Sequence, residues 1–164
     1  MGSIGQIKRG NLVDSVKSAL AISGLEPQYL ELELTESVLM IDTHAVINVI
    51  NELKTLGVSF AIDDFGAGYS SLGYLKQFAI NKLKIGQSFI QKLSCGKSED
   101  NAVVQAIVQS GKTLELQTLA EGVETLEQAE QLIQLGCGNG QGFFWHQPMR
   151  AKDFESFCLN QMTI

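Results

Sequence analysis

The chain has 164 residues, 45% of them hydrophobic, with a formal net charge of -6 and a sequence pI near 4.9, which suits one domain with a sizeable core and excludes a disordered or collagen-like chain. It has no run of Lys or Arg, so the electrostatic footprint for duplex DNA or an anionic membrane is missing, and an anionic ligand would need metal ions to bring it in. Three cysteines without metal-ligand spacing (Cys95, Cys137, Cys158), no signal peptide and no apolar run near 18 residues point to a reducing, cytoplasmic setting in which the thiols act as small hydrophobes.

In chain order, Asn11 to Gly24 places Leu12, Val13, Val16, Ala19, Leu20 and Ile22 at helical spacing before a glycine stop. Tyr29 to Leu34 alternates Leu30, Leu32 and Leu34 with Glu31 and Glu33, a strand whose polar end carries Glu33 and Glu36. Thr43 to Gly57 is helical again, with Thr43 as N-cap and Gly57 just past the end. Phe60-Ala61-Ile62 is a buried strand that ends in the adjacent carboxylates Asp63 and Asp64 and opens into the Gly66-Ala67-Gly68 turn. Ser70 to Phe78 forms a short helix, and Lys82 to Ile85 a strand with Lys84 near its end. Ser98 to Leu116 is a long helix, Thr118 to Val123 a strand that runs into Glu121 and Glu124, and Thr125 to Leu135 a helix stopped at Gly136. A glycine-rich run from Gly136 to Gly142 holds Gln141, and Ala151 to Asn160 is a last helix. Strands and helices alternate throughout, the pattern of repeated βα units and a parallel α/β sheet.

Parallel sheets place their sites at the carboxyl ends of strands, on a barrel rim or at a switch point. Glu33, Glu36, Asp63, Asp64, Lys84, Glu121, Glu124 and Gln141 fall at or just past such ends. Converging carboxylates repel one another, and two divalent cations would offset that charge and leave a bound water as hydroxide, which two-metal phosphodiester hydrolysis requires. Blander readings stand beside this one. The Asp63-Asp64 pair also suits a solvated corner that caps the next helix, Lys84 a surface charge beside Lys82, and Glu121 and Glu124 helix-opening acids at a positive dipole end.

ELTES at Glu33 to Ser37, IDDFGAGYSSL at Ile62 to Leu72, LKI at Leu83 to Ile85, LAEGVET at Leu119 to Thr125 and GCGNGQGF at Gly136 to Phe143 occur in this order. Together they resemble the EAL family, cyclic di-GMP phosphodiesterases built on a TIM-type (β/α) barrel with two Mg²⁺ or Mn²⁺ ions. The resemblance runs from about Gly2 to Pro148. It implies that Glu33 and Asp63 are metal ligands, that Asp64 and Glu121 serve the second metal or its nucleophilic water, and that Lys84 orients that water. By the same likeness Gln141 sits near the substrate, while Glu36, Glu124 and the loop Gly66, Ala67, Gly68, Tyr69, Ser70 and Ser71 couple the metals to the covering loop and to dimer contacts.

The departures carry equal weight. The family's Glu-Ala-Leu motif does not occur, and the asparagine of its Asn-x-Ser motif would fall at Met1, ahead of Ser3. Gly86 stands where the family usually has aspartate, and Ala67 replaces a common threonine. A barrel of this class takes about 250 residues. Residues 1–164 are therefore expected to be the C-terminal two-thirds of the domain, an open parallel arc that lacks the first strands. Its edges and an apolar inner wall would need covering by a second copy or a separate N-terminal segment. The expected function is cyclic di-GMP hydrolysis to linear pGpG, inactive or very weak in this chain. The alternative is a degenerate module that binds cyclic di-GMP or a protein without turnover.

Overall fold

Residues 12–37, 43–66, 75, 78–93 and 98–161 are described by the computed structural model. Helix α1 (Leu12–Ser23) buries Val13 and Val16, and a 3₁₀ turn at Pro27–Tyr29 leads into β1 (Glu31–Thr35). Helix α2 (Thr43–Thr55) packs beside α1, with Lys17 Nζ 3.0 Å from Glu52 Oε1 across the seam. Next come β2 (Ser59–Phe65), β3 (Lys82–Ile85), α3 (Gln87–Leu93) and α4 (Ser98–Thr113). The chain continues with β4 (Gln117–Glu121), α5 (Leu126–Leu135), β5 (Asn139–Gln141) and α6 (Ala151–Gln161). The five strands form one parallel sheet in the order of the chain, β1-β2-β3-β4-β5. It is an arc, not a closed barrel, with β1 and β5 as its two ends.

Because successive strand residues point to opposite faces, each strand divides its side chains cleanly. Leu34, Phe60, Ile62, Leu83, Ile85 and Ala120 turn toward the helices, where they are buried with Ile50, Leu53, Ile90, Leu93, Val104, Val108 and Leu132. Each large aliphatic or aromatic side chain so buried contributes about 1.5–3 kcal/mol. The other face carries Glu31, Glu33, Ala61, Asp63, Lys82, Lys84, Gln117, Leu119 and Glu121, as the pairings Ala61↔Lys82, Lys84↔Leu119 and Glu33↔Ala61 require. The expected apolar inner wall is thus mostly a charged one. Lys82 Nζ lies 2.8 Å from Glu31 near the amino ends of the strands, and a second cluster forms around Lys84 toward their carboxyl ends.

The strand β2 runs three residues further than the apolar run Phe60-Ala61-Ile62, by means of a β-bulge. Ile62 pairs with Leu83 and Phe65 with Ile85, so Asp63 and Asp64 together oppose the single residue Lys84. Asp64 takes φ 52, a left-handed conformation that absorbs the extra residue. Without the bulge Phe65 would share the charged face with Asp63. With it, Phe65 returns to the core and is buried.

Close backbone approach shapes the last strand. A Cβ at Gly142 would lie 2.0 Å from Val123 O and 2.4 Å from Val123 N. Only glycine lets this turn seat itself against the β4 loop, where Val123 N–H donates to Gln141 O and Phe144 N–H to Val123 O. The indole of Trp145 lies over Gly140, 2.4 Å from where a Cβ would stand, and is itself 52% exposed.

Two local readings differ from the sequence. Helix α3 was not foreseen, being only seven residues long. The expected helix from Ser70 to Phe78 lies mostly outside the described residues; Leu75 and Phe78 are described and both are buried. Among the described residues no helix is long and apolar enough to cross a membrane.

Candidate functional site

Three strands deliver carboxylates to one lysine. Lys84 of β3 has its Nζ 2.5 Å from Glu33 Oε1 on β1, 3.2 Å from Asp63 Oδ1 on β2 and 2.7 Å from Glu121 Oε1 on β4. An ammonium has three donors and no acceptor, so these three oxygens use it completely. The Lys84 side chain is 7% exposed, Asp63 17% and Glu121 18%, while Glu33 is 44% exposed and forms the open side of the cluster.

The charges do not balance, since three carboxylates surround one ammonium. Burial alone would lower the Lys84 pKa, but its hydrogen bonds to Glu121 and Glu33 and the attraction of Glu121 outweigh burial and hold the ammonium well above its ordinary 10.5. Burial pushes the Glu121 carboxyl up, Lys84 pulls it down, and the neighbouring charge of Asp63 adds to the rise, which leaves Glu121 above the usual carboxylate range. The Lys84 rise follows from the surrounding carboxylates, and the Glu121 rise first from burial and then from Asp63.

The remaining candidates are placed as follows. Asp64, at the bulge, is exposed, and its Oδ1 lies 2.7 Å from where a Cβ on Gly86 would stand. The missing side chain at position 86 therefore leaves a niche that the Asp64 carboxylate fills. Gln141 pairs in register with Glu121 and is exposed beside it on the rim. Glu36 is buried just past β1, and Gly66 follows β2 with φ 98. The Glu124 carboxylate accepts from Gln87 Nε2 at 3.3 Å. Ala67, Gly68, Tyr69, Ser70 and Ser71, and the stretch beginning at Ser3, lie outside the described residues.

A supporting network was not read from the sequence. Gln128 is buried in α5. Its Oε1 accepts from Glu124 N–H at 2.7 Å and Thr125 N–H at 3.1 Å, and its Nε2 donates to Ile90 O of α3 at 3.2 Å. Thr125 Oγ1 accepts from Gln128 N–H, which completes a capping box. The loop that follows Glu121 is thereby tied to two helices. The Thr-x-x-Gln spacing ahead of an apolar run was the available signal.

Carboxylate oxygens are the donors that Mg²⁺, Mn²⁺ and Ca²⁺ prefer, so Glu33, Asp63 and Glu121 suit a hard divalent cation in chemistry. Among the described residues, however, no three His, Cys, Asp or Glu side chains stand ready around a metal position. The three carboxylates close instead around Lys84, which stands in for a cation among them.

A family model described as EAL domain matches residues 3–148. The bifunctional diguanylate cyclase/cyclic di-GMP phosphodiesterase MucR of Pseudomonas aeruginosa is 48% identical over 147 residues, 90% of this chain and 21% of that protein. The chain spans about a fifth of the length of the curated relatives it matches. A solved PaMucR phosphodiesterase in complex with c-di-GMP superposes with a TM-score of 0.88 at 47% identity, covering 93% of this chain and 62% of that one. A manganese/cy-diGMP complex of Klebsiella pneumoniae BlrP1 superposes at 0.74 with 32% identity, covering 80% of this chain and 33% of that one.

Proposed function

The chain belongs to the EAL domain family, and from that premise we propose that it is a cyclic di-GMP phosphodiesterase domain that opens the cyclic nucleotide to linear pGpG. The observation that carries this reading is the convergence of Glu33, Asp63 and Glu121 from three separate strands on one point at the carboxyl ends of a parallel sheet. In this reading these carboxylates hold Mg²⁺ or Mn²⁺, with Asp64 reserved for a second ion. When bound, the ions supply a low-pKa water and screening of the phosphodiester charge.

Other residues of the chain have distinct parts. Glu121, whose carboxyl sits above the usual range because it is buried, takes the proton of the attacking water. Lys84 orients that water or the phosphate oxygen as a point donor. Gln141, level with Glu121 on the neighbouring strand, contacts the nucleotide. Glu36, Glu124 and the Gly66 to Ser71 loop link the site to a covering loop and to dimer contacts.

The 164-residue chain alone is inactive or very weak in this proposal. Gly86 removes a carboxylate, and Asp64 is turned into the niche that Gly86 leaves. These two observations also favour the second reading, a non-catalytic module that binds cyclic di-GMP or a protein. We further propose that residues 1–164 make up the C-terminal two-thirds of a cytoplasmic EAL barrel. Support comes from the solved relative, of which 62% is covered, and from five strands among the described residues where such barrels have eight. A second copy or a separate N-terminal segment would then pair with the ends of the arc at β1 and β5.

The test is incubation with cyclic di-GMP and Mn²⁺ at mildly alkaline pH, with chromatography for the linear product and calorimetric titration of the nucleotide. Binding with little or no product is expected. Rapid turnover abolished by Asp63→Asn would overturn the inactive reading, and no binding at all would overturn cyclic di-GMP as the ligand.

A further inference from the structure

The short strand β5 ends in Gln141, and one loop residue holds that end. The Gln141 carbonyl accepts from Val123 N–H at 3.1 Å, and Phe144 N–H donates back to Val123 O at 3.0 Å. Val123 thus sets where the chain at Gln141 leaves the sheet. Val123 is in turn fixed by its own neighbours, because the next two amides, of Glu124 and Thr125, both donate to Gln128 Oε1. Gln128 Nε2 donates to Ile90 O, one of the last four carbonyls of α3, which have no partner inside the helix. A capping box needs only the bonds between Thr125 and Gln128; those to Glu124 N–H and Ile90 O are additional. Gln128 is 3% exposed, so a shift of either element would leave a buried donor or acceptor without a partner. Only Gly122 stands between Glu121 and Val123, and its φ of 70 turns the chain there. Glu121 is accordingly placed by its strand, and Val123 by Gln128.

We propose that Gln128 is a positioning residue for the nucleotide contact, holding Val123 and through it Gln141 in place without touching the ligand. The inference rests on the phosphodiesterase reading for the role of Gln141. It adds that nucleotide affinity is set partly from inside α5, on the helix side of the sheet.

Two variants separate position from stability. Gln128→Glu keeps an oxygen for the Glu124 and Thr125 amides, whereas Gln128→Met, of similar length, keeps none. Both disturb the tie to Ile90, and both should unfold at lower urea than the parent. Calorimetry with cyclic di-GMP, at a temperature where all three chains are folded, should show Gln128→Met weaker by about threefold to tenfold, the weight of one misplaced hydrogen bond. Gln128→Glu should recover most of that loss. Equal affinity in the parent and Gln128→Met, or a loss in Gln128→Glu as large as in Gln128→Met, would overturn the proposal, since the affinity would then not follow the oxygen. Amide hydrogen exchange without nucleotide gives the second readout. Exchange should quicken in Gln128→Met over residues 122–125 and 141–146 but not over β4 (Gln117–Glu121), and Gln128→Glu should restore the slow rates. Quickening that reaches β4 equally, or none in the two loops, would mark a merely structural role and sink the proposal. If the parent binds no cyclic di-GMP while the exchange pattern holds, the phosphodiesterase reading fails and the positioning of Gln141 by Gln128 stands.

Discussion

Replacing Gly86 with aspartate tests one of the points at which this chain is expected to depart from its family. The backbone at Gly86 is not left-handed, so a side chain is conformationally allowed, but its Cβ would stand 2.7 Å from Asp64 Oδ1 and 3.5 Å from Asp64 Cα. Asp64 must swing out of the niche, and two carboxylates then share a space of about 4 Å. Unit charges at that distance repel by about 1 kcal/mol in water and about 4 kcal/mol at an effective dielectric of 20. Because Asp64 is exposed, the lower part of that range applies, about 1–2 kcal/mol, from which about 0.5 kcal/mol is recovered by stiffening the unfolded chain. A chain of this size shifts by about 2–4 °C per kcal/mol. In chelator, Gly86→Asp should therefore melt about 1–6 °C below the parent. Added Mn²⁺ should reverse the order, since the paired carboxylates become a cation site, and turnover of cyclic di-GMP should rise with it. Equal melting temperatures in chelator together with equal Mn²⁺ shifts would refute the reasoning.

Three further outcomes follow from the geometry. Lys84 is held above its ordinary 10.5 in the folded chain. Its contribution is thus complete below pH 10.5 and is lost as pH rises through the folded value, so thermal melts from pH 9 upward should show the parent losing stability above about pH 10.5 that Lys84→Met does not lose. Gly142→Ala places a methyl within 2.0 Å of the Val123 carbonyl oxygen; the backbone must part there, and a urea midpoint should report a loss of about 3 kcal/mol or more, overpacking against backbone being costlier than against side chains. Gln128→Ala leaves the Glu124 and Thr125 N–H groups and the Ile90 carbonyl without their partner. It should cost about 2–3 kcal/mol in the same assay, whereas exposed Gln109→Ala should cost almost nothing.

The positions of Asp63 and Glu121 were legible because each closes an apolar run, and a strand that stops where polarity begins sets its last side chain on the rim, while Glu33 and Lys84 were legible as polar residues alternating with apolar ones near a strand's end. Asp64 was harder to read. Adjacent strand residues face opposite ways, so Asp63 and Asp64 could not both point at one ion from a regular strand, and the bulge that accommodates them depends on register with Leu83 and Ile85, which only the folded sheet defines. The charged inner face, by contrast, was written in plain alternation. Glu31-Leu32-Glu33-Leu34 and Lys82-Leu83-Lys84-Ile85 each give one face to charge and the other to the core. Helix α3 escaped because seven residues are two turns, too few to establish a period against the strand before it.

One consequence concerns Trp145, the single tryptophan of the chain, seated over Gly140 at the open end of the sheet. Its indole is an intrinsic fluorophore beside the last strand, bordering a pocket with Ala129, Leu132 and Cys137. Half of its surface now meets solvent. Emission should shift to shorter wavelength as that edge is covered, so completion of the arc can be titrated by colour without attaching a dye.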